Sequence, residues 1–273
     1  MLRLLRLFLL LLIALPLLAA CSSDKTEEAP PERPAQDLFE EGKKALDEDH
    51  YQVAWKAFDE VERQHPYSDL APKAKLLSAF AHYSNEDYDA AIIGFDQFMQ
   101  LHPSSEDAPY ALYLKGLCYY EQISDVSRDQ EITRRAMEAL QLVVTRYPAS
   151  TYAREATLRL DLTRDHLAGK EMNIGRWYQG QQQYQAAINR YRTVVDQYQT
   201  TSHVPEALHR LIESYTALGL KEEARQTALV LGQNYPGSPW YQDSYALIGN
   251  DPQAVPAEQN RPGWLGRAIG HIF

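Results

Sequence analysis

The chain reads as an all-α protein, a superhelical solenoid of five helix hairpins whose fourth unit has an extended first helix. Three observations predict this. Apolar residues recur at three- and four-residue spacing from about 35 to 247, the period of a helix face, and few segments are strand-like. An ordered set of small, large, proline and hydroxyl residues returns five times. No single hairpin can bury its apolar face alone, so units of this kind must stack.

The N-terminus comes first. Arg3 and Arg6 form a charged leader, 7–15 is a short apolar run, and Leu18-Ala19-Ala20-Cys21 matches a bacterial lipobox. Residues 1–20 therefore read as a signal peptide, too short in its apolar part to span a bilayer. Cleavage would leave Cys21 as the lipidated first residue. Residues 21–34 are polar and proline-rich, the composition of a disordered tether. Fully stretched, such a tether reaches on the order of 40 Å.

The repeats follow. Ala54, Ala91, Ala136, Ala187 and Ala224 each precede a helix-ending position by twelve residues: Pro66, Pro103, Pro148, Gln199 and Pro236. Proline stops a helix because it lacks an N–H and disfavours helix in the residue before it. Two residues on stand Ser68, Ser105, Ser150, Thr201 and Ser238, hydroxyls suited to cap the next helix. Ala74, Ala111, Ala156, Ala207 and Ser244 lie six residues beyond those. Phe58, Phe95, Leu140, Tyr191 and Ala228 lie four residues after the first alanine of each unit. Small residues let helices approach, and a large one a turn later is expected to fill the space between neighbouring hairpins. His65 and His102 share the place before the proline, where a helix C-terminus favours a partly cationic side chain.

These residues resemble the tetratricopeptide repeat, in which a Gly or Ala of the first helix lies twelve residues before the alanine of the second. Gly42, Ala79 and Gly175 hold that place, and Gly116 holds it once an insertion is allowed. Ile212 departs from the pattern, which points to looser packing in the fifth unit.

The stop positions are spaced by 37, 45, 51 and 37 residues. Eight extra residues in the third unit fall at 121–130, a polar stretch expected to protrude as a loop. Fourteen more in the fourth unit are close to four helical turns and keep the helix face in phase, so 152–181 is expected to be one long helix, with Gly169 or Gly175 as places for a bend. The organisation expected is repeats 1–3 over 35–149, repeats 4–5 with a capping helix over 150–249, and a flexible tail over 250–273. The tail ends in an apolar run from Trp264 to Phe273, which two glycines weaken as a helix.

Composition excludes several functions. A net charge of −10 with no basic cluster argues against nucleic acid and against a polybasic hold on lipid. Of the two cysteines, Cys21 is assigned to lipid, and Cys118, among Leu117, Tyr119 and Tyr120, reads as a buried structural thiol. No metal-ligand spacing, phosphate loop or nucleophile elbow is present, so no cofactor, metal or catalytic residue is predicted. Aromatics are the richer signal, with 18 tyrosines. Tyr51, Tyr88 and Tyr184 begin second helices. Tyr67, Phe80, Tyr83, Tyr110 and Tyr113 lie on first helices or turns, where an aromatic groove for an extended peptide could form.

A lipobox, a tether and five such repeats together resemble the BamD (ComL) family of outer-membrane lipoproteins. The more specific stretches are His65-Pro66-Tyr67-Ser68, Tyr147-Pro148-Ala149-Ser150-Thr151-Tyr152-Ala153, Asp165-His166-Leu167-Ala168 and Ala186-Ala187-Ile188-Asn189-Arg190. The resemblance implies a non-enzymatic scaffold of the β-barrel assembly machine on the periplasmic face of the outer membrane. It implies as partners the POTRA domain of BamA nearest the membrane, other assembly lipoproteins and unfolded barrel proteins. By position it places Asn189 and Arg190 on the BamA side, and it favours Tyr67, Phe80 and Tyr83 for the substrate groove. Ser22 and Ser23 after Cys21 suit transfer to the outer membrane. Two alternatives stay open: a repeat lipoprotein serving another envelope machine, such as a secretin pilot or a cell-wall coordination factor, and an envelope enzyme.

Overall fold

The computed structural model describes residues 32–249; the signal peptide, Cys21, most of the tether and the 250–273 tail lie outside the described residues. Eleven helices occupy the described part: α1 (Ala35–Asp47), α2 (Tyr51–Gln64), α3 (Ala71–Ser84), α4 (Tyr88–Leu101), α5 (Ala108–Glu121), α6 (Glu131–Arg146), α7 (Thr151–Gly180), α8 (Tyr184–Gln197), α9 (Val204–Ala217), α10 (Lys221–Asn234) and α11 (Pro239–Ile248). Each packs on the next in chain order, α3 also touches α5 and α5 touches α7, and α11 closes on α9 and α10. The result is an all-α solenoid of paired helices.

The pairs are held by complementary sizes. A Cβ on Gly42 would stand 2.6 Å from Phe58 Cε1, and one on Gly116 would stand 2.9 Å from Leu140 Cδ2. On Gly175 it would meet the Tyr191 ring, 2.8 Å from Cδ1 and 2.9 Å from Cζ. The large residue therefore fills space inside its own pair, against the small residue of the first helix, and not only between neighbours as the repeat pattern suggested. Fully burying such a side chain contributes roughly 1.5–3 kcal/mol. In the fifth unit the sizes are exchanged: Ile212 stands on the first helix, Ala228 on the second, and they are 0 % and 5 % exposed. The departure at Ile212 thus conserves volume and does not loosen the core.

The turns inside the pairs also repeat. Asp49, Glu86, Gln182 and Gly219 all have φ between 58° and 76°, and each lies two residues before a second helix. The N–H of the following residue reaches back to the last turn of the first helix: His50 to Ala45, Asp87 to His82, Gln183 to Tyr178 and Leu220 to Tyr215. This is the helix-ending bond pattern that satisfies terminal carbonyls.

The hydroxyls between pairs divide into classes. Ser150 and Ser238 cap α7 and α11, accepting from the N–H groups of Tyr152 and Trp240. Ser68 and Ser105 instead accept from Leu70 and Asp107 two residues on, opening a turn ahead of α3 and α5, while Thr201 donates back to the Tyr198 carbonyl. In these three units the helix starts three residues later, at Ala71, Ala108 and Val204, with Pro72, Pro109 and Pro205 in the first turn, where a missing N–H costs nothing.

Both insertions are ordered. The fourth-unit extension is helical throughout, giving α7 its 30 residues. The third-unit stretch is non-helical from 122 to 130 but does not simply protrude. Gln130 is buried and bonds the Asp125 and Arg128 carbonyls, and Lys170 of α7 donates to the Ser127 and Arg128 carbonyls at 2.9 and 3.1 Å. Three apolar cores follow one another. α7 contributes Ala156 and Leu160 to the middle one, and Ala168 and Met172 to the C-terminal one. A polar network ties the C-terminal helices together: Tyr191 donates to Gln179, Gln179 and Arg210 donate to Glu213, and the His209 ring meets Ser244 of α11.

Candidate functional site

Successive first helices bring their aromatic side chains together. Phe80 and Tyr83 of α3 lie 6.2 Å apart by ring centroid, and Phe80 lies 6.5 Å from Tyr110 of α5. Tyr110 lies 5.0 Å from Tyr152 at the start of α7, which in turn stacks on Tyr113 at 5.7 Å. Arg159 closes the series: its Nε donates to the Tyr113 hydroxyl at 3.3 Å and its guanidinium stands 4.9 Å from the centre of the Tyr120 ring. Apart from Tyr113, these rings are half-buried, so each packs by one side and offers part of the other. Burial, reinforced by Glu121, pushes the Tyr83 hydroxyl up to about 12, and burial also raises Tyr110. Both stay protonated donors at neutral pH. Such a surface can bind apolar side chains through ring faces and backbone carbonyls through hydroxyls and Arg159.

Of the three groove residues expected from sequence, Phe80 and Tyr83 belong to this ladder and Tyr67 does not. Tyr67 is fully exposed in the turn before α3, while Phe80 lies nine residues into that helix, about 14 Å along its axis. Tyr152, Tyr120 and Arg159 were missed. Tyr120 could have been found, since it holds the same repeat position as Tyr83.

Asn189 and Arg190 lie on α8 next to the buried Ala187, Ile188 and Tyr191, and this fixes their outward direction. Asn189 is exposed. Arg190 donates through Nη1 to Glu171 of α7 at 3.1 Å and keeps 42 % of its side chain exposed. Its fork is therefore oriented by an internal carboxylate. Cys118 is wholly buried, and burial pushes its thiol up to about 12, so it is a packing residue and not a nucleophile. Among the described residues no three His, Cys, Asp or Glu side chains are placed to hold a metal ion, and no helix is long and apolar enough to cross a membrane.

Residues 31–231 match the profile of the YfiO family, described as outer membrane lipoprotein. The chain belongs to the YfiO family. Within it, the chain is 45 % identical over 242 residues to the outer membrane protein assembly factor BamD of Caulobacter vibrioides, covering 89 % of this chain and 79 % of that protein. It is 41 % identical to the BamD of Rickettsia prowazekii (80 % of this chain, 86 % of that protein) and 32 % identical to that of Neisseria meningitidis serogroup A (85 % and 92 %). A solved tetratricopeptide-repeat protein of Thermus thermophilus is similar at 16 % identity and a TM-score of 0.37, covering 79 % of this chain and 98 % of that one. The YfiO match contains the whole aromatic ladder and both Asn189 and Arg190; Cys21 lies ahead of it.

Proposed function

We propose that the chain is a non-catalytic scaffold lipoprotein of outer-membrane protein assembly, held on the periplasmic face by lipid on Cys21. The observation that carries this is the 45 % identity, over most of its length, to a protein named as an outer membrane protein assembly factor. The repeats act by binding alone. Five paired units form two working surfaces. Asn189 and Arg190 of α8 meet the membrane-proximal POTRA domain of BamA, the Arg190 fork engaging a carboxylate beside Glu171. The ladder of Phe80, Tyr83, Tyr110 and Tyr152 receives segments of unfolded barrel proteins, whose alternate apolar side chains suit a row of ring faces. The expectation for Tyr67 is narrowed to an edge contact, since its ring stands clear of the row.

The test is an affinity pull-down from detergent-solubilised outer membranes with tagged wild type and Arg190→Glu in parallel. Wild type should recover a POTRA-containing barrel protein and the variant should lose most of it. Equal recovery by both removes Arg190 from the interface but leaves the assembly role. Recovery of no such protein by wild type overturns the assembly role itself.

A further inference from the structure

The repeat breaks off at the C-terminal end of the solenoid and leaves a space there. α11 opens in register: Ser238 caps it, and Ser244 holds the place of Ala74, Ala111 and Ala207 on α3, α5 and α9. Those three helices run on to Ser84, Glu121 and Ala217, each for ten residues more. α11 instead stops at Ile248, and Gly249 leaves the helix with φ 78°. In the earlier helices the turns that α11 lacks are core. Ala81, Cys118 and Ser214 share one repeat place there and are each 0 % exposed. The same place falls on Asp251, whose charge burial would penalise, and Pro252 follows it. The residues just after α11 are therefore not a replacement for those turns.

α10 and α11 are joined by a short connection and lie antiparallel, so the start of α10 stands opposite the missing turns. There the end of α9, the start of α10 and the end of α11 line a cleft of about 550 Å³. Pockets that enclose a ligand measure roughly 300–1,000 Å³. Ala224, Leu247 and Ile248 give the cleft its apolar lining. Lys221, Glu222 and Arg225 give its charges, and the last two are paired at 3.2 Å. Tyr245 and Leu247 are 36 % and 44 % exposed, whereas Leu112 and Leu114, at the same repeat places on α5, are 3 % each.

One segment of the chain matches this surface. Leu265, Ala268, Ile269 and Ile272 recur at three- and four-residue spacing, and on a helix they fall within an arc of about 100°. Gly266, Arg267, Gly270 and His271 take the opposite side. The same order of apolar, alanine, apolar and large residues is Tyr184, Ala187, Ile188 and Tyr191 of α8, which are buried or half-buried. The glycines cost a free helix roughly 1 kcal/mol each, so such a segment needs a surface to pack on. Leu247 and Ile248 line the cleft and Gly249 follows them, so the chain departs beside it. The 14 residues from 250 to 263 separate that exit from Trp264. An unfolded chain of this length spans on the order of 20 Å, which keeps the segment at about millimolar local concentration.

We propose that residues 265–272 dock in this cleft of their own chain, with Leu265, Ile269 and Ile272 taking the place of the missing turns of α11. The solenoid is then capped at its C-terminal end by its own tail, as a stack of repeats requires. None of these residues belongs to the aromatic ladder or to the Arg190–Glu171 pair, and the closure does not depend on the assembly role.

The experiment is disulfide trapping in the mature, lipidated protein, reconstituted in vesicles of phosphatidylethanolamine and phosphatidylglycerol. Leu247→Cys is combined in turn with Leu265→Cys, Ile269→Cys, Ile272→Cys and Arg267→Cys. Cys118 is wholly buried and stays out of the reaction. Bond formation under mild oxidation is timed on non-reducing gels and located by peptide mass spectrometry. At least one apolar-face pair should close within the chain at least fivefold faster than the Arg267→Cys pair. Adding Leu265→Asp to the Ile269→Cys pair should slow closure at least fivefold while the helical circular-dichroism signal is kept. Equal rates for the two faces would reduce the contact to tethered proximity and overturn the proposal, as would a rate indifferent to Leu265→Asp. Disulfides between chains would assign the cleft to a second copy, and no closure at all would assign the segment to the lipid surface or another partner; either result refutes docking in the same chain.

Discussion

Gly175→Ala is the sharpest test of how the pairs are held. The added methyl would fall inside contact distance of three Tyr191 ring atoms, with Cδ1 at 2.8 Å and Cζ at 2.9 Å. Tyr191 is fully buried, and its hydroxyl is tied to Gln179 at 2.7 Å, so the ring cannot swing away without breaking that bond. Overpacking of this kind costs about 1–3 kcal/mol, and the held ring argues for the upper end. Alanine returns about 1 kcal/mol of helix propensity. The net expectation is a loss of about 2 kcal/mol, or about 4–8 °C in melting temperature for a domain of this size. Thermal and urea unfolding of the mature protein, followed by far-UV circular dichroism, reads this directly. Gly180→Ala is the control, because a Cβ there meets nothing within 4 Å. Combining Gly175→Ala with Tyr191→Leu, the residue type that Leu140 supplies in the third unit, should show a favourable coupling of about 1 kcal/mol or more in a double-mutant cycle. If Gly175→Ala melts at or above wild type, the close approach described for Gly42, Gly116 and Gly175 does not order their pairs.

Two further outcomes are expected. Burial disfavours the charged form of Glu213, but hydrogen bonds from His209, Gln179 and Arg210 outweigh it and hold the carboxyl at about 2, against 4.5 for a free side chain. A depressed folded pKa adds stability that is complete above the unfolded value and is lost as pH falls through the folded one. The melting temperature should therefore drop between about pH 4.5 and 2, and Glu213→Gln should flatten that slope; parallel curves for the two proteins would contradict the assignment. Ser150→Ala should cost about 1 kcal/mol, since it removes the cap of α7, whereas an unchanged urea midpoint would show that the Tyr152 N–H finds another acceptor.

Much of the architecture was legible because its signals are local. The prolines and the phase of the apolar residues marked where second helices end. Fourteen inserted residues preserved helical phase, and 151–180 is one helix without a break. Other features left no local trace. Three of the four left-handed turn residues are Asp49, Glu86 and Gln182, not glycine, so composition did not reveal a turn that backbone bonds define. The hydroxyls share a repeat position but not a role, because only Ser150 and Ser238 are followed at once by helix. The 122–130 loop reads as polar and free, yet it folds back because Lys170 finds its carbonyls.

The same division runs through the sites. Phe80 and Tyr83 were recognisable as first-helix aromatics, while Tyr67 looked equivalent until the helix axis separated them. Arg190 was identifiable as an outward arginine on α8; its orientation by Glu171, nineteen positions earlier, was not. By itself the sequence determined the helical class, the repeat and its phase, the long helix, the lipobox, and the absence of catalytic motifs, because each depends on neighbours within a turn or two. The tertiary structure alone decided which small residue receives which large one, that Ile212 and Ala228 exchange sizes, which aromatics form one ladder, and that Lys170 joins the two insertions. Those are contacts between residues far apart in the chain, where excluded volume and unmet hydrogen bonds act only after the helices have packed.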